Sequence, residues 1–185
     1  LTDVTGTSFI YLPNVKRDFY YLSFQDEWQI TPETQLTFGV RYDKYSDFGS
    51  TTNPRLGLIW QATNKVRLKL FAGSAFRAPS IAQLYSKNNP ASIGNPELRS
   101  ESVDTIETGA NLEYFINQDL VVSFNAFRYH AKDLIAFVFN EEQQLNIAQN
   151  IGEQKGKGGE FTIKWKPQPN ISIDSSVSVL SAKDE

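Results

Sequence analysis

Apolar and polar positions alternate along most of the chain with a period of two. In the run at 19–30, Tyr20, Leu22, Phe24, Trp28 and Ile30 fall on one face, and Tyr21, Ser23, Gln25, Glu27 and Gln29 on the other. Successive side chains of an extended backbone point to opposite sides, so this is a strand with one apolar and one polar face. Asp26 interrupts the apolar face, and nothing in the sequence accounts for it. The same pattern predicts strands at 35–45, 54–62, 65–76, 101–115, 145–167 and 171–179. Residues 119–131 are β-rich but carry apolar residues on both faces. No segment has the period of a helix.

The connections carry a second pattern. Short turns are expected at 31–33, 63–64, 116–118 and 167–170, and long polar loops at 46–53, 77–100 and 132–144. Short and long alternate strictly if 145–167 is one strand, so Gly156, Gly158 and Gly159 are expected to form a bulge or bend within it. The result is eight antiparallel strands with tight turns at one rim and long loops at the other, the asymmetry of an up-and-down transmembrane β-barrel. Trp28, Trp60 and Trp165 all lie beside short turns, where an interfacial aromatic girdle belongs. Runs of about 11–15 residues are long for a soluble sandwich, whose strands average about 5–6, and suit a tilted membrane crossing of about 9–11.

Composition sharpens this reading by exclusion. The chain has 185 residues and a net charge of −3, which argues against a nucleic-acid binder. It has no cysteine and one histidine, His130, so thiolate metal sites, cysteine nucleophiles and His-cluster sites are excluded. No run of about 18 apolar residues predicts a transmembrane helix. Mean hydropathy is negative while 13% of residues are aromatic. Sorting by face removes the conflict, because a polar half and an aromatic-rich half average to a soluble-looking value. Two further readings stay open at this level. One is a complete small eight-stranded barrel with a structural or adhesive role. The other is a soluble β-sheet binding module such as a carbohydrate-binding domain.

Ordered motifs add a resemblance. Phe76-Arg77-Ala78-Pro79-Ser80 precedes Leu84-Tyr85, Asn95-Pro96-Glu97-Leu98, Glu101-Ser102 and Glu107-Thr108-Gly109. Gln25-Asp26-Glu27-Trp28 and Gly39-Val40-Arg41-Tyr42-Asp43 stand upstream. Lys132-Asp133-Leu134-Ile135, Asn150-Ile151-Gly152 and Gly158-Gly159-Glu160 follow downstream. This order resembles the TonB-dependent receptors of Gram-negative outer membranes over nearly the whole chain. The resemblance implies a barrel of about 22 strands closed by a plug domain. It also implies energy from the TonB complex and import of iron–siderophore complexes, haem, vitamin B12 or glycans. Residues 1–185 are then expected to be a partial barrel of about eight strands in outer-membrane lipid. No plug, TonB box or signal peptide is visible, and an iron–siderophore complex is the expected ligand.

Candidate sites are few. No nucleophile signature surrounds Ser74, Ser80, Ser86 or His130, so neither an enzyme nor a cofactor is expected. The ligand candidates are Arg41, Arg55, Arg67 and Arg77, lining a polar lumen or its loops, and His130 at a strand end before an outer loop. Arg77 is expected near Glu97, Glu101 and Glu107, in a packed loop base. Glu141 and Glu142 are expected at a solvated loop tip. Asp43 and Asp47 lack the spacing of a calcium loop, and Asn170-Ile171-Ser172 matches a glycosylation acceptor that has no role in a bacterial protein.

Overall fold

The alternating runs form one antiparallel sheet. The computed structural model describes residues 11–106, 111–117 and 119–184. The strands are β1 (Phe19–Thr31), β2 (Thr34–Tyr45), β3 (Gly49–Thr63), β4 (Val66–Arg77), β5 (Ser92–Ile93), β6 (Glu101–Ile106), β7 (Asn111–Asn117), β8 (Leu120–Asn140), β9 (Leu145–Gln168) and β10 (Ile171–Asp184). One helix, α1 (Ile81–Tyr85), lies between β4 and β5. The spatial order is β1-β2-β3-β4-β6-β8-β9-β10. Because β6 and β7 both pair with β4 and β8, they share one strand position. The expected eight positions are therefore present among the described residues, with β5 added in parallel beside β9.

Register carries the two faces across the sheet. Trp28 sits opposite Leu36, and Leu36 opposite Leu58. Leu58 sits opposite Leu70, and Phe124 opposite Phe161, which faces Val177. These residues form a continuous apolar band. Its side chains pack only against cross-strand neighbours, from half-buried at Leu36 and Leu58 to 69% exposed at Val179 and 76% at Leu22. An apolar surface of this extent needs an apolar neighbour. Asp26, the charge inside the band, now has a reason: its carboxylate accepts from the Trp28 indole N–H and from the Glu27 amide. It satisfies the polar edge of an otherwise apolar ring.

The tight rim is built twice from one device. Trp28-Gln29-Ile30-Thr31 and Trp60-Gln61-Ala62-Thr63 each precede a turn. In both, the Gln side chain donates to the carbonyl of the Thr, at 2.7 Å. The Thr hydroxyl then accepts from the amide two residues on, Glu33 at 3.2 Å and Lys65 at 3.1 Å. Both bonds stay within the turn.

The opposite rim departs from expectation. β3 begins at Gly49 and β8 runs to Asn140, so the long loops expected at 46–53 and 132–144 shrink to tips at 46–48 and 141–144. Residues 49–53 and 132–140 are strand, and over 134–139 an unbroken apolar run takes the place of alternation. Only the connection from 78 to 100 remains long. It holds α1, which is too short to show a helical period. As expected, β9 is one strand, but its glycines form no bulge. Pairing of Gly156, Gly158 and Gly159 with β8 and β10 is regular. A Cβ at Gly156 would stand 2.2 Å from the Tyr129 ring, and one at Gly158 2.7 Å from the Phe127 ring. Gly156 and Gly158 are seats for cross-strand aromatic rings. The irregularity lies instead in β8, between Ala131 and Ile135, around Asp133 with its φ of 56°.

Candidate functional site

The connection between β4 and β6 folds over the risen hairpin of β8 and β9. Pro79 ends the strand and is buried. Ser80 then starts α1 through a reciprocal cap: its hydroxyl accepts from the Gln83 amide at 3.1 Å, and its own amide donates to Gln83 Oε1 at 2.9 Å. This turns Leu84 inward. Leu84 and Leu98 pack with Ala148 of β9 as a buried cluster, with Tyr85 and Ile135 against it. Asn95 shapes the next turn, accepting from the Glu97 amide at 2.9 Å and donating its own amide to Gln83 O at 2.8 Å. The motif residues Phe76 to Tyr85 and Asn95 to Leu98 thus form a platform at the loop-side rim.

Two long-range ties fix the platform. Asn150 accepts from the Arg99 amide at 2.9 Å, donates to the Arg99 carbonyl at 3.0 Å, and donates to the Asp133 carbonyl at 2.7 Å. Its neighbour Gly152 is required by space, since a Cβ there would lie 2.8 Å from Leu134 Cβ. On the other side, Arg17 bonds Asp47 Oδ2 at 2.7 Å and the Pro79 carbonyl at 3.0 Å. Its guanidinium also lies 5.4 Å from the Phe48 ring centre and 5.9 Å from that of Tyr45. Phe76 meets Tyr45 edge-on at 6.1 Å. Neither Arg17 nor Asn150 signals its role in the sequence, because its partners are far along the chain.

The structure separates the ligand candidates. Arg41, Arg55, Arg67 and Arg77 share the polar face. Arg41 grips Asp43 through two bonds, Nε at 2.9 Å and Nη2 at 2.7 Å, and lies 4.3 Å from the Tyr21 ring centre. Arg55 donates to Gln25, and Arg67 to Gln61 at 2.9 Å. Arg77 pairs with Glu101 across β4 and β6. Of the other expected partners, Glu97 is exposed, while Glu107, like Gly109, lies outside the described residues. Glu101 is buried and also accepts from the Ile135 amide at 2.8 Å. This carboxyl stands on the loop side of the apolar band. Burial works against its charge, but Arg77 and the Ile135 amide outweigh burial and hold it below the usual carboxylate range. His130 is the correction. It lies inside β8 rather than at a strand end, on the face opposite the arginines, where it meets Glu153. Among the described residues, no three carboxylates or imidazoles converge as metal ligands.

Residues 2–183 match the family model described as TonB dependent receptor-like, beta-barrel. The chain is 30% identical over 177 residues to the iron-regulated outer membrane virulence protein of Vibrio cholerae, covering 87% of this chain and 27% of that protein. It is 29% identical over 151 residues to the vitamin B12 transporter BtuB of the same species, covering 80% and 23%. The crystal structure of the siderophore receptor PirA from Pseudomonas aeruginosa superposes with a TM-score of 0.80 at 21% identity, covering 91% of this chain and 32% of that one. The chain thus spans roughly a quarter of the length of these curated relatives.

Proposed function

The chain belongs to the TonB-dependent receptor-like β-barrel family, and on that premise we propose that residues 1–185 form part of the wall of a receptor in the outer membrane of a Gram-negative bacterium. The observation that carries this is the register, which keeps an exposed apolar band on one face across the long strands and sets Arg41, Arg55, Arg67 and Arg77 on the opposite face of β2, β3 and β4. Lipid covers the first face, and a water-filled lumen the second. The remaining strands, a plug domain and contact with the TonB complex belong to other parts of such a receptor. The role is transport rather than catalysis.

The ligand we infer is an anionic iron–siderophore complex. Arg41, Arg55 and Arg67 form a cationic row on the polar face, and the platform stands at its loop-side end. Capture occurs at the platform and the tips at 46–48 and 141–144. TonB-driven movement of the plug then opens a path along the arginine row. The likeness to a vitamin B12 transporter supports a second reading, in which the cargo is a cobalamin. The two differ in charge. In the receptor containing this chain, a ferric tris-catecholate should quench intrinsic fluorescence on titration, and Arg41→Gln with Arg55→Gln should weaken it. Saturable binding of cyanocobalamin with no response to the ferric complex decides for the second reading.

A further inference from the structure

A separate cluster of charge occupies the apolar side of the sheet, outboard of the band. Steps of two along β8 lead from Phe124 through Ala126 to Arg128 and His130, and along β9 from Phe161 through Gly159 to Lys157 and Lys155. On β10 they lead from Val177 to Ser181 and Lys183. Unbroken pairing of His130 with Lys155 and of Lys155 with Lys183 confirms the shared face. Lys132 joins them through Asp104 of β6, at 3.6 Å. These side chains surround a depression of about 620 Å³.

We propose that this cluster docks the phosphorylated headgroup of a lipid in the leaflet around the loop-side rim. The proposal rests on the membrane-spanning reading given above. Depth is the first argument. From Trp165 to Lys155 is ten residues, roughly 33 Å of strand at about 3.3 Å each. At a tilt of about 40° this gives roughly 25 Å of height, the height of the apolar band of an outer-membrane barrel. With the tryptophans at one interface, the cations stand at the other, level with headgroups.

Charge is the second argument. Among the described residues, Arg128, Lys132, Lys155, Lys157 and Lys183 face two acids, Asp104 and Glu153, an excess of three positive charges before His130 is counted. Glu153 is taken by His130 and by Lys155 at 3.2 Å, and Asp104 by Lys132 and by Ser74 at 3.0 Å. Among the described residues, Arg128, Lys157 and Lys183 have no acidic partner. On the polar face, by contrast, Arg41 and Arg77 are each matched to a carboxylate. Cations left unmatched at headgroup depth are complementary to phosphate monoesters, which accept several charge-assisted hydrogen bonds. The cluster lies on a face and not an edge, so neighbouring strands leave it open.

The test uses the purified receptor containing this chain, titrated in detergent with bisphosphorylated lipid A and read by native mass spectrometry. A phosphate-free lipid of the same acyl chains is the control. The wild type should retain the phosphorylated lipid preferentially. Combining Arg128→Gln, Lys157→Gln and Lys183→Gln should weaken that retention about a hundredfold and leave the control unchanged. Undiminished retention by the triple variant overturns the proposal, as does full displacement by inorganic pyrophosphate, which would mark a free-anion site. A bimane label on Phe161→Cys, probed with brominated lipid, separates the two levels. No quenching removes the membrane-spanning reading itself. Quenching together with undiminished retention removes only the headgroup site.

Discussion

The spanning part of the sheet and the platform above it are held together in different ways. Below, the strands have no core of their own. Their apolar side chains are open, β1 and β10 have no strand at their outer edges among the described residues, and order comes from ladder bonds and cross-strand pairs. Above, Leu84 and Ala148 are fully buried, Leu98 nearly so, and side-chain bonds from Asn150 and Arg17 span 51 and 62 residues of chain. A membrane wall borrows its apolar surroundings from lipid, whereas a segment in water must bury its own. Disturbing either part should therefore leave the other intact.

The largest effect is expected at the platform core. Leu84→Ala leaves a cavity costing about 2–5 kcal/mol locally, and limited proteolysis between Lys87 and Arg99 should accelerate while the strands stay protected. If cleavage begins in the β1–β2 turn instead, the two regions are not independent. Next comes Asn150→Ala, which strips partners from the Arg99 amide and two carbonyls at about 1–3 kcal/mol. Hydrogen exchange at the Arg99 amide should rise more than at Leu36. Comparable in size but confined to the wall is Gly156→Ala, which drives a methyl into the Tyr129 ring at about 1–3 kcal/mol. Tyr129→Ala should relieve it, and a double-mutant cycle measures that coupling.

A weaker, pH-dependent effect should come from Glu101. Its carboxyl is held below the ordinary value of 4.5, so its stabilisation is fully present above that pH and is lost as pH falls through the folded-state value. Exchange protection of the Ile135 amide should fall in that acid window and lose its pH dependence in Glu101→Gln. The smallest effect is at the half-buried Asp26. Asp26→Ala frees the Trp28 indole N–H, costing about 0.5 kcal/mol, with a shift in tryptophan emission as the readout.

These two regions were also unequally legible. In the wall, period-two alternation located the strands and both faces, and the tight turns fell where Pro32, Asn64 and Pro169 stand. Faces are a local property of an extended chain, so sequence suffices. At the platform it did not. Residues 134–139 are an unbroken apolar run that reads as strand by composition, yet Lys132 and Asp133 marked it as loop. The Ser80–Gln83 cap was visible as spacing, but a five-residue helix gives no period to support it. The arginines were recognisable as polar-face cations, while His130 was placed by its loop-like neighbours and not by its parity in β8. Arg17 went unmarked, and Asn150 was marked only as part of a motif, because the partners of both are assembled by the fold. Gly156 and Gly158 were misread because a bulge and a ring seat ask for the same residue, and only the cross-strand partner tells them apart.

The ties at Arg17 and Asn150 stand on opposite sides of the connection from β4 to β6. The Lys87 amide adds a third point by donating to the Tyr11 carbonyl at 2.9 Å. Mechanically, that connection is a beam supported at both ends and not a cantilever. A load on its outer surface goes into strands on both sides, into β2 and β3 through Asp47 and into β8 and β9 through Asn150, with no free end to swing.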